Sequence, residues 1–380
     1  MSNKSFLIFA LGFLSSSFGV ATLSPLVPAM AETFGVDKLY MSHVSWYYML
    51  PYGFFALVWA PLTRVVDIKK IFSLSALGFT LASLVFSFSA TVGWAFAAEF
   101  CVGGFACAFM PLSLIVIGKA VAKENKGRYI GWLLGLSYVS SLCGVSLSGF
   151  LSWRQVYLIS AGLGFITFVF SLLFLEKFDF RQESFKISYQ ETLRDKQAVA
   201  LLVFIFLASF FYHSLQQLLG VYLNETYSLP QASLSGIFAV STICSIILQF
   251  SGGILTRRFA NTQMARAGFF LMSAFAGLLL LAGDWRWMFL LMILWGSGWA
   301  LNHIGLSAYL THLPDKVMRD ASSLNSAIRF SSGGLGVMSA NAIISWLGFK
   351  TQFAVVAVSA AVLGLFVHKV LSEHKEQAVS

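Results

Sequence analysis

Among the sixteen carboxylates of this chain, Glu99 is set apart by its surroundings, Trp94-Ala95-Phe96-Ala97-Ala98-Glu99-Phe100-Cys101-Val102-Gly103-Gly104. A carboxyl group placed in hydrocarbon is costly and is usually kept for a function. The chemistry it offers is the taking and releasing of a proton as its surroundings change. The competing expectation is a carboxylate paired with a base or facing water near the surface. Two histidines, His213 and His303, lie in other apolar runs. Imidazole titrates close to neutral pH, so both are candidates for proton relay, or else neutral groups that shape a pocket. Gln216 and Gln217 follow His213 by one turn, and Asn302 precedes His303. Amides both donate and accept, which suits a polar substrate group and equally suits bonding between helices. Tyr212 and Trp299 sit beside these polar groups and offer flat faces to an amphipathic ligand. Arg329 lies inside another apolar run, where it would bind an anion, reach for the interface or brace a gate. No nucleophile motif, phosphate loop or metal-ligand cluster appears in the sequence, so no catalytic residues, metal or cofactor are expected. The four cysteines show no metal or redox spacing and read as small core residues.

The elements that must position these groups are membrane-spanning helices. The chain is 58% hydrophobic and 11% charged, against about 25% charged in a soluble domain. Apolar segments run over residues 6–30, 41–62, 71–91, 94–117, 129–151 and 155–175, then 199–222, 232–255, 267–283, 287–311, 326–348 and 353–371. Each matches the roughly 17–25 residues that cross a bilayer as a helix, and none shows the strict alternation of a barrel strand. These are helices 1 to 12. They divide into a bundle over 1–175, a linker over 176–198 and a second bundle over 199–380. Prolines 25, 28, 51 and 111 predict kinks. Ala29-Met30-Ala31 looks like a signal-peptidase site, but the preceding run is longer than the 7–15 residues of a signal core, so a retained helix is expected.

The two bundles repeat each other. Glu32-Thr33-Phe34 returns 193 residues later as Glu225-Thr226-Tyr227, and Leu62-Thr63-Arg64 returns in the same register as Leu255-Thr256-Arg257. Duplicated sets of apolar segments are a common build of secondary transporters, with the substrate site between the repeats. Charge placement sets the orientation. With a cytoplasmic N-terminus, the loops on that side hold 20 Lys or Arg, the opposite loops hold four (Lys38, Arg154, Arg286 and Lys350), and Arg329 lies within a helix. That split predicts cytoplasmic termini and accounts for the net charge of +9 without a nucleic-acid partner.

Several motifs carry a family resemblance. Ala60-Pro61-Leu62-Thr63-Arg64-Val65-Val66-Asp67-Ile68-Lys69-Lys70 resembles the signature loop between helices 2 and 3 of the major facilitator superfamily, which runs Gly-x-Leu-Ala-Asp-Arg-x-Gly-Arg-Lys. Arg64 stands where the family has Asp, and Asp67 stands at its second Gly. The later copy, Gly253-Ile254-Leu255-Thr256-Arg257-Arg258, keeps the leading glycine. Helix 5 carries Gly131, Ser140, Gly144-Val145 and Ser148-Gly149, half of the glycine pattern of the family's exporters, without its proline. Arg319-Asp320 through Gly333-Gly334 resembles the matching region of helices 10 and 11.

The resemblance implies an all-α fold of twelve transmembrane helices in two pseudo-symmetric six-helix bundles. It also implies a central cavity lined by helices 1, 4, 7 and 10. Glu99 falls on helix 4; Tyr212, His213, Gln216 and Gln217 on helix 7; and Trp299, Asn302 and His303 on helix 10. Arg64, Asp67, Arg257, Arg258, Gly144 and Gly149 are then gating positions. One departure concerns helix 4, where the family's drug exporters place a base before Phe-x-x-Gly and this chain places Glu99. The function this implies is alternating-access transport of a small organic solute, as proton-coupled export of an amphipathic compound. The alternative is uptake of a small polar nutrient or organic anion. The expected partners are the substrate, protons and the lipid of a bacterial inner membrane, with the chain acting as a monomer.

Reporter fusions at both termini are predicted to read cytoplasmic. An external C-terminus would overturn the count of twelve helices.

Overall fold

The structure is a computed structural model and describes residues 1–63, 65–178 and 189–377. Arg64 and the linker positions 179–188 lie outside the described residues, as do the side chains of Arg319 and Asp320. Among the described residues the chain is helical, with no strand. Helix 1 has two pieces, Asn3–Val20 and Leu23–Phe34. Helix 2 is His43–Leu62 and helix 3 is Ile68–Ser87. Helix 4 is again two pieces, Val92–Ala106 and Phe109–Ala120. Helix 5 is Lys123–Ser148 and helix 6 is Trp153–Phe174. A short helix, Tyr189–Arg194, precedes helix 7, itself divided into Lys196–Gln216 and Leu219–Tyr227. Helix 8 is Gln231–Arg258, helix 9 Asn261–Leu279 and helix 10 Trp287–Tyr309. Helices 11 and 12 are the two arms of Asp315–Gln377, which turn at Gly348, a residue with φ of 79°. That left-handed conformation costs glycine little and other residues much.

Nine helical stretches among the described residues are long and apolar enough to cross a membrane, and the last of them, Leu324–Ser372, contains both arms of the turn at Gly348. His43–Leu62 and Asn261–Leu279, of 20 and 19 residues, complete the twelve. Large apolar side chains stand out of the protein along these helices, with Trp346 at 87% and Leu173 at 65% exposure. In water such a surface would promote aggregation; in a bilayer it is the lipid contact.

Two of the breaks have a cause in the sequence. A proline ring clashes with the carbonyl four residues earlier. Pro25 therefore disturbs Ala21 and Pro111 disturbs Cys107, where helices 1 and 4 part. Helix 2 runs on through Pro51, and the second piece of helix 1 runs on through Pro28. Helix 7 parts at Gln217 and Leu218 with no proline in it at all.

The chain forms two compact units, Met1–Phe185 with Leu229–Gly236, and Lys186–Ser228 with Ile237–Ser380. In the first, helix 1 packs on helices 5 and 6, helix 2 on helix 4, and helix 3 on helices 4 and 6. A methyl group at Gly103 of helix 4 would collide with the backbone carbonyl of Tyr48 in helix 2, and one at Gly144 of helix 5 with that of Phe18 in helix 1. Serines reinforce the second seam: Ser140 donates to the carbonyl of Leu14 at 2.9 Å and Ser141 to that of Ser17 at 3.0 Å. In the second unit helix 7 packs on the helix 11–12 pair, and helix 9 on helix 10 and on that pair. There Gly296 of helix 10 abuts the carbonyl of Ser241 in helix 8, and Gly336 of helix 11 that of Phe210 in helix 7. Gly103 and Gly296 are 193 residues apart, as are Tyr48 and Ser241. The sequence repeat is thus also a repeat of one backbone-to-backbone contact.

Gly103→Ala and Gly296→Ala are each predicted to destabilise the protein by about 1–3 kcal/mol, the usual cost of overpacking. Gly277→Ala, which has open space around it, should stay within about 0.5 kcal/mol of wild type. Melting curves in detergent check all three.

Candidate functional site

In the first unit the chemistry centres on Glu99. Thr91 caps the first piece of helix 4, accepting a hydrogen bond from the backbone of Trp94 at 3.4 Å. Glu99 lies two turns further on and is only 1% exposed. Its hydrogen-bond partner is Tyr157, whose hydroxyl donates to Oε2 at 2.8 Å. The alternative expectation, a base paired with this carboxylate, is not what the described residues present.

Tyr157 is itself held firmly. Its ring stacks on Phe86 at 3.9 Å and 20°. It sits one turn into helix 6, whose start is fixed by a capping box between Ser152 and Gln155. Arg154 adds a clamp, donating to the carbonyls of Ser87 and Ser89 at the end of helix 3. Trp153 donates to Thr33 at 3.0 Å. Glu99 faces a void of about 10 Å³ that is also lined by Ser16 and Gly19 of helix 1, Tyr48 of helix 2, Ser83 of helix 3 and Tyr157 and Ser160 of helix 6.

In the second unit the aromatic and polar candidates of helices 7 and 10 come together. Tyr212 stacks on Trp299 at 4.0 Å and on Trp295 at 4.9 Å, both nearly parallel, because two tryptophans four apart share one helix face. His213 meets the edge of Trp299 at 5.5 Å, and His303, one turn along helix 10, lies 5.8 Å from it. Gln216 accepts a hydrogen bond from the Trp295 indole at 2.6 Å. Gln249 of helix 8 stands 3.4 Å from His303 Nδ1. Arg329 of helix 11 is 6% exposed, with its guanidinium carbon 5.8 Å from the centre of the Trp299 ring. It donates to Asn325 at 2.9 Å and Ser307 at 3.2 Å, and its charge reaches both histidines.

Asn302 is placed apart from this group. It is fully buried in the seam with helix 9, donating to the carbonyl of Ala265 at 3.3 Å against the backbone of Gly268. Gln217 is buried at the break of helix 7. Of the loop positions, Asp67 caps helix 3, accepting from the backbone of Lys69 at 2.8 Å and Lys70 at 3.4 Å. Arg257 and Arg258 are exposed in the last turn of helix 8. Gly144 sits at its helix seam and Gly149 caps the end of helix 5. Sequence reasoning missed Tyr157, the direct partner of Glu99. Its signal in the sequence is slight, a tyrosine one turn into helix 6.

Twelve apolar helices in two repeated sets, each holding polar side chains within its spans, define an integral membrane protein of the transporter class. The chain belongs to the major facilitator superfamily, whose family model matches residues 9–337. It is 25% identical over 185 residues to MdtD of Escherichia fergusonii, and equally to MdtD of Escherichia coli K12; both are named for multidrug resistance. Those matches span 48% of this chain and 39% of each relative, so the chain is aligned with well under half of the length of either. A crystal structure of a variant of the nucleoside transporter NupG superposes with a TM-score of 0.79, covering 97% of this chain and all of that one at 15% identity, which shows the fold.

Tyr157→Phe removes one donor from a buried carboxyl group and is predicted to cost about 1.5–3 kcal/mol. Combined with Glu99→Gln, its effect should shrink by more than about 0.5 kcal/mol. A double-mutant cycle on melting stability measures this, and strict additivity would show that the bond contributes nothing.

Proposed function

We propose that the protein is a proton-coupled exporter of a small amphipathic organic compound, working by alternating access. The observation that carries this reading is Glu99: a carboxyl group 1% exposed, two turns inside an apolar helix, bonded by a tyrosine and facing a small void. A proton and a substrate that each favour one of two states of the transporter change each other's affinity by linkage, which suffices for coupling. The partly exposed Trp299, which ends a stack with the buried Tyr212 and Trp295, and the partly exposed Gln216 support an amphipathic cargo. The Gly and Ser pattern of helix 5 and the partial likeness to proteins named for multidrug resistance support export. The distribution of Lys and Arg supports cytoplasmic termini, and the partial likeness to Escherichia proteins supports a bacterial inner membrane. On this reading residues 1–175 and 199–380 are the two moving bundles, and the chain works as a monomer.

The second reading is uptake of an organic anion. It is favoured by the positive lining of the second-unit cluster, where buried Arg329 stands beside His213, His303 and Trp299.

In proteoliposomes with an imposed pH gradient, Glu99→Gln is predicted to lower gradient-driven accumulation at least about tenfold. Substrate exchange at equal pH, which needs no proton, should survive. Unaltered gradient coupling would remove Glu99 from the mechanism. His303→Ala is predicted to change ligand affinity more than melting temperature. Thermal-shift titration with lipophilic cations, neutral amphipaths and organic anions reads both quantities. Stabilisation by anions alone would favour uptake.

A further inference from the structure

The oxygens around the Glu99 void are arranged in an unusual way. Ser16 spends its hydroxyl proton on the carbonyl of Phe13 at 3.0 Å, and Ser160 spends its own on that of Val156 at 3.2 Å. Tyr157 spends its proton on Glu99. Each of these groups has only lone pairs left to offer, and all of them line the same void. Ser83, fully buried on helix 3, also lines it, and its hydroxyl has no hydrogen-bond partner. A buried polar atom without a partner is uncommon and costly, and calls for an occupant of the space it faces.

Three oxygens that offer only lone pairs, together with one carboxylate, give the void an electronegative lining that suits a positive occupant. Hard oxygen donors select a hard cation. One carboxylate balances one charge; a divalent ion would leave an uncompensated charge in a low-dielectric site. The void, about 10 Å³, is close to the volume of one water-sized sphere, too tight for an organic ammonium. We propose that this void, between helices 1, 2, 3, 4 and 6 of the first unit, is a binding site for a small monovalent cation, sodium by size, with Glu99 and Ser83 among its ligands. The proposal rests on Glu99 being the coupling group and names a second ion that uses it. Sodium and the proton then compete for one carboxylate. The titratable groups facing Glu99 are Tyr157 from helix 6 and Tyr48 from helix 2; helices 1, 3 and 6 contribute the serines. With sodium bound, the Tyr157 hydroxyl keeps its bond to Oε2, leaving Oε1 for the ion.

The test is a melting titration of the full-length purified protein in sodium chloride against choline chloride at equal ionic strength and several pH values. Sodium should raise the melting temperature saturably and choline should not, and the half-saturating concentration should rise as the pH falls. Glu99→Gln should abolish the shift. Ser83→Ala, which removes one neutral ligand, should raise the half-saturating concentration roughly three- to tenfold. Ser75→Ala is the control, because its buried hydroxyl also lacks a partner but lies outside the void, and the sodium response should be unchanged. If Glu99→Gln does not fold, the two serine variants decide alone. Equal melting in sodium and choline would overturn the cation site; the proton reading would still stand if Glu99→Gln loses gradient coupling, and both would fall if it does not. A sodium response indifferent to Ser83→Ala and Glu99→Gln would place the ion elsewhere and overturn this assignment.

Discussion

Lipid supplies neither hydrogen bonds nor a hydrophobic force between helices, and this molecule is organised around that constraint. Backbone groups must be satisfied within each helix, and helices must adhere through close packing. The chain meets the second demand by letting backbones touch. Gly103 against Tyr48, Gly144 against Phe18, Gly296 against Ser241 and Gly336 against Phe210 are seams where any side chain would hold two helices apart. Serine hydroxyls turned onto a neighbouring helix, such as Ser140 onto Leu14, add direction to contacts that dispersion alone leaves unoriented.

Those seams set the depth and rotation at which polar side chains are presented. Helix 4 is pinned to helix 2 at Gly103, four residues from Glu99, so one face of the turn carries packing and another carries the carboxyl group. Helix 10 is pinned to helix 8 at Gly296, between Trp295 and Trp299, and the aromatic stack takes its position from that contact. Each half therefore places its chemistry beside one of its glycine seams. The chemistry differs: an acid with hydroxyls in one unit, and aromatic rings with imidazoles and a guanidinium in the other.

Much of the fold was legible in the sequence because hydrocarbon imposes a simple grammar of length, apolarity and charge on each span. The repeat was legible too, since it kept its register over 193 residues. Glu99 was legible because its cost in lipid is a local property. Its partner Tyr157 was not, because 58 residues separate them and helix rotation decides which hydroxyl meets the carboxyl group. Asn302 and His303 are adjacent in sequence, yet one turns into the seam with helix 9 and the other toward Trp299. A span that is apolar on every side, toward lipid as toward protein, carries no periodicity from which to read that rotation. The breaks at Ala21 and Cys107 follow from prolines four residues on, whereas the break in helix 7 has no local cause.

That last difference gives the two halves unequal kinds of bend. In helices 1 and 4 the bend is covalent: a ring sits where a hydrogen bond would be, and no rearrangement of neighbours can restore the missing donor. In helix 7 every residue around Gln217 keeps its amide hydrogen, so the straight form is chemically available and is withheld only by what surrounds it. The break in helix 7 is thus set by packing, whereas those in helices 1 and 4 are set by covalent structure, so the duplicated halves share one plan with breaks of different origin.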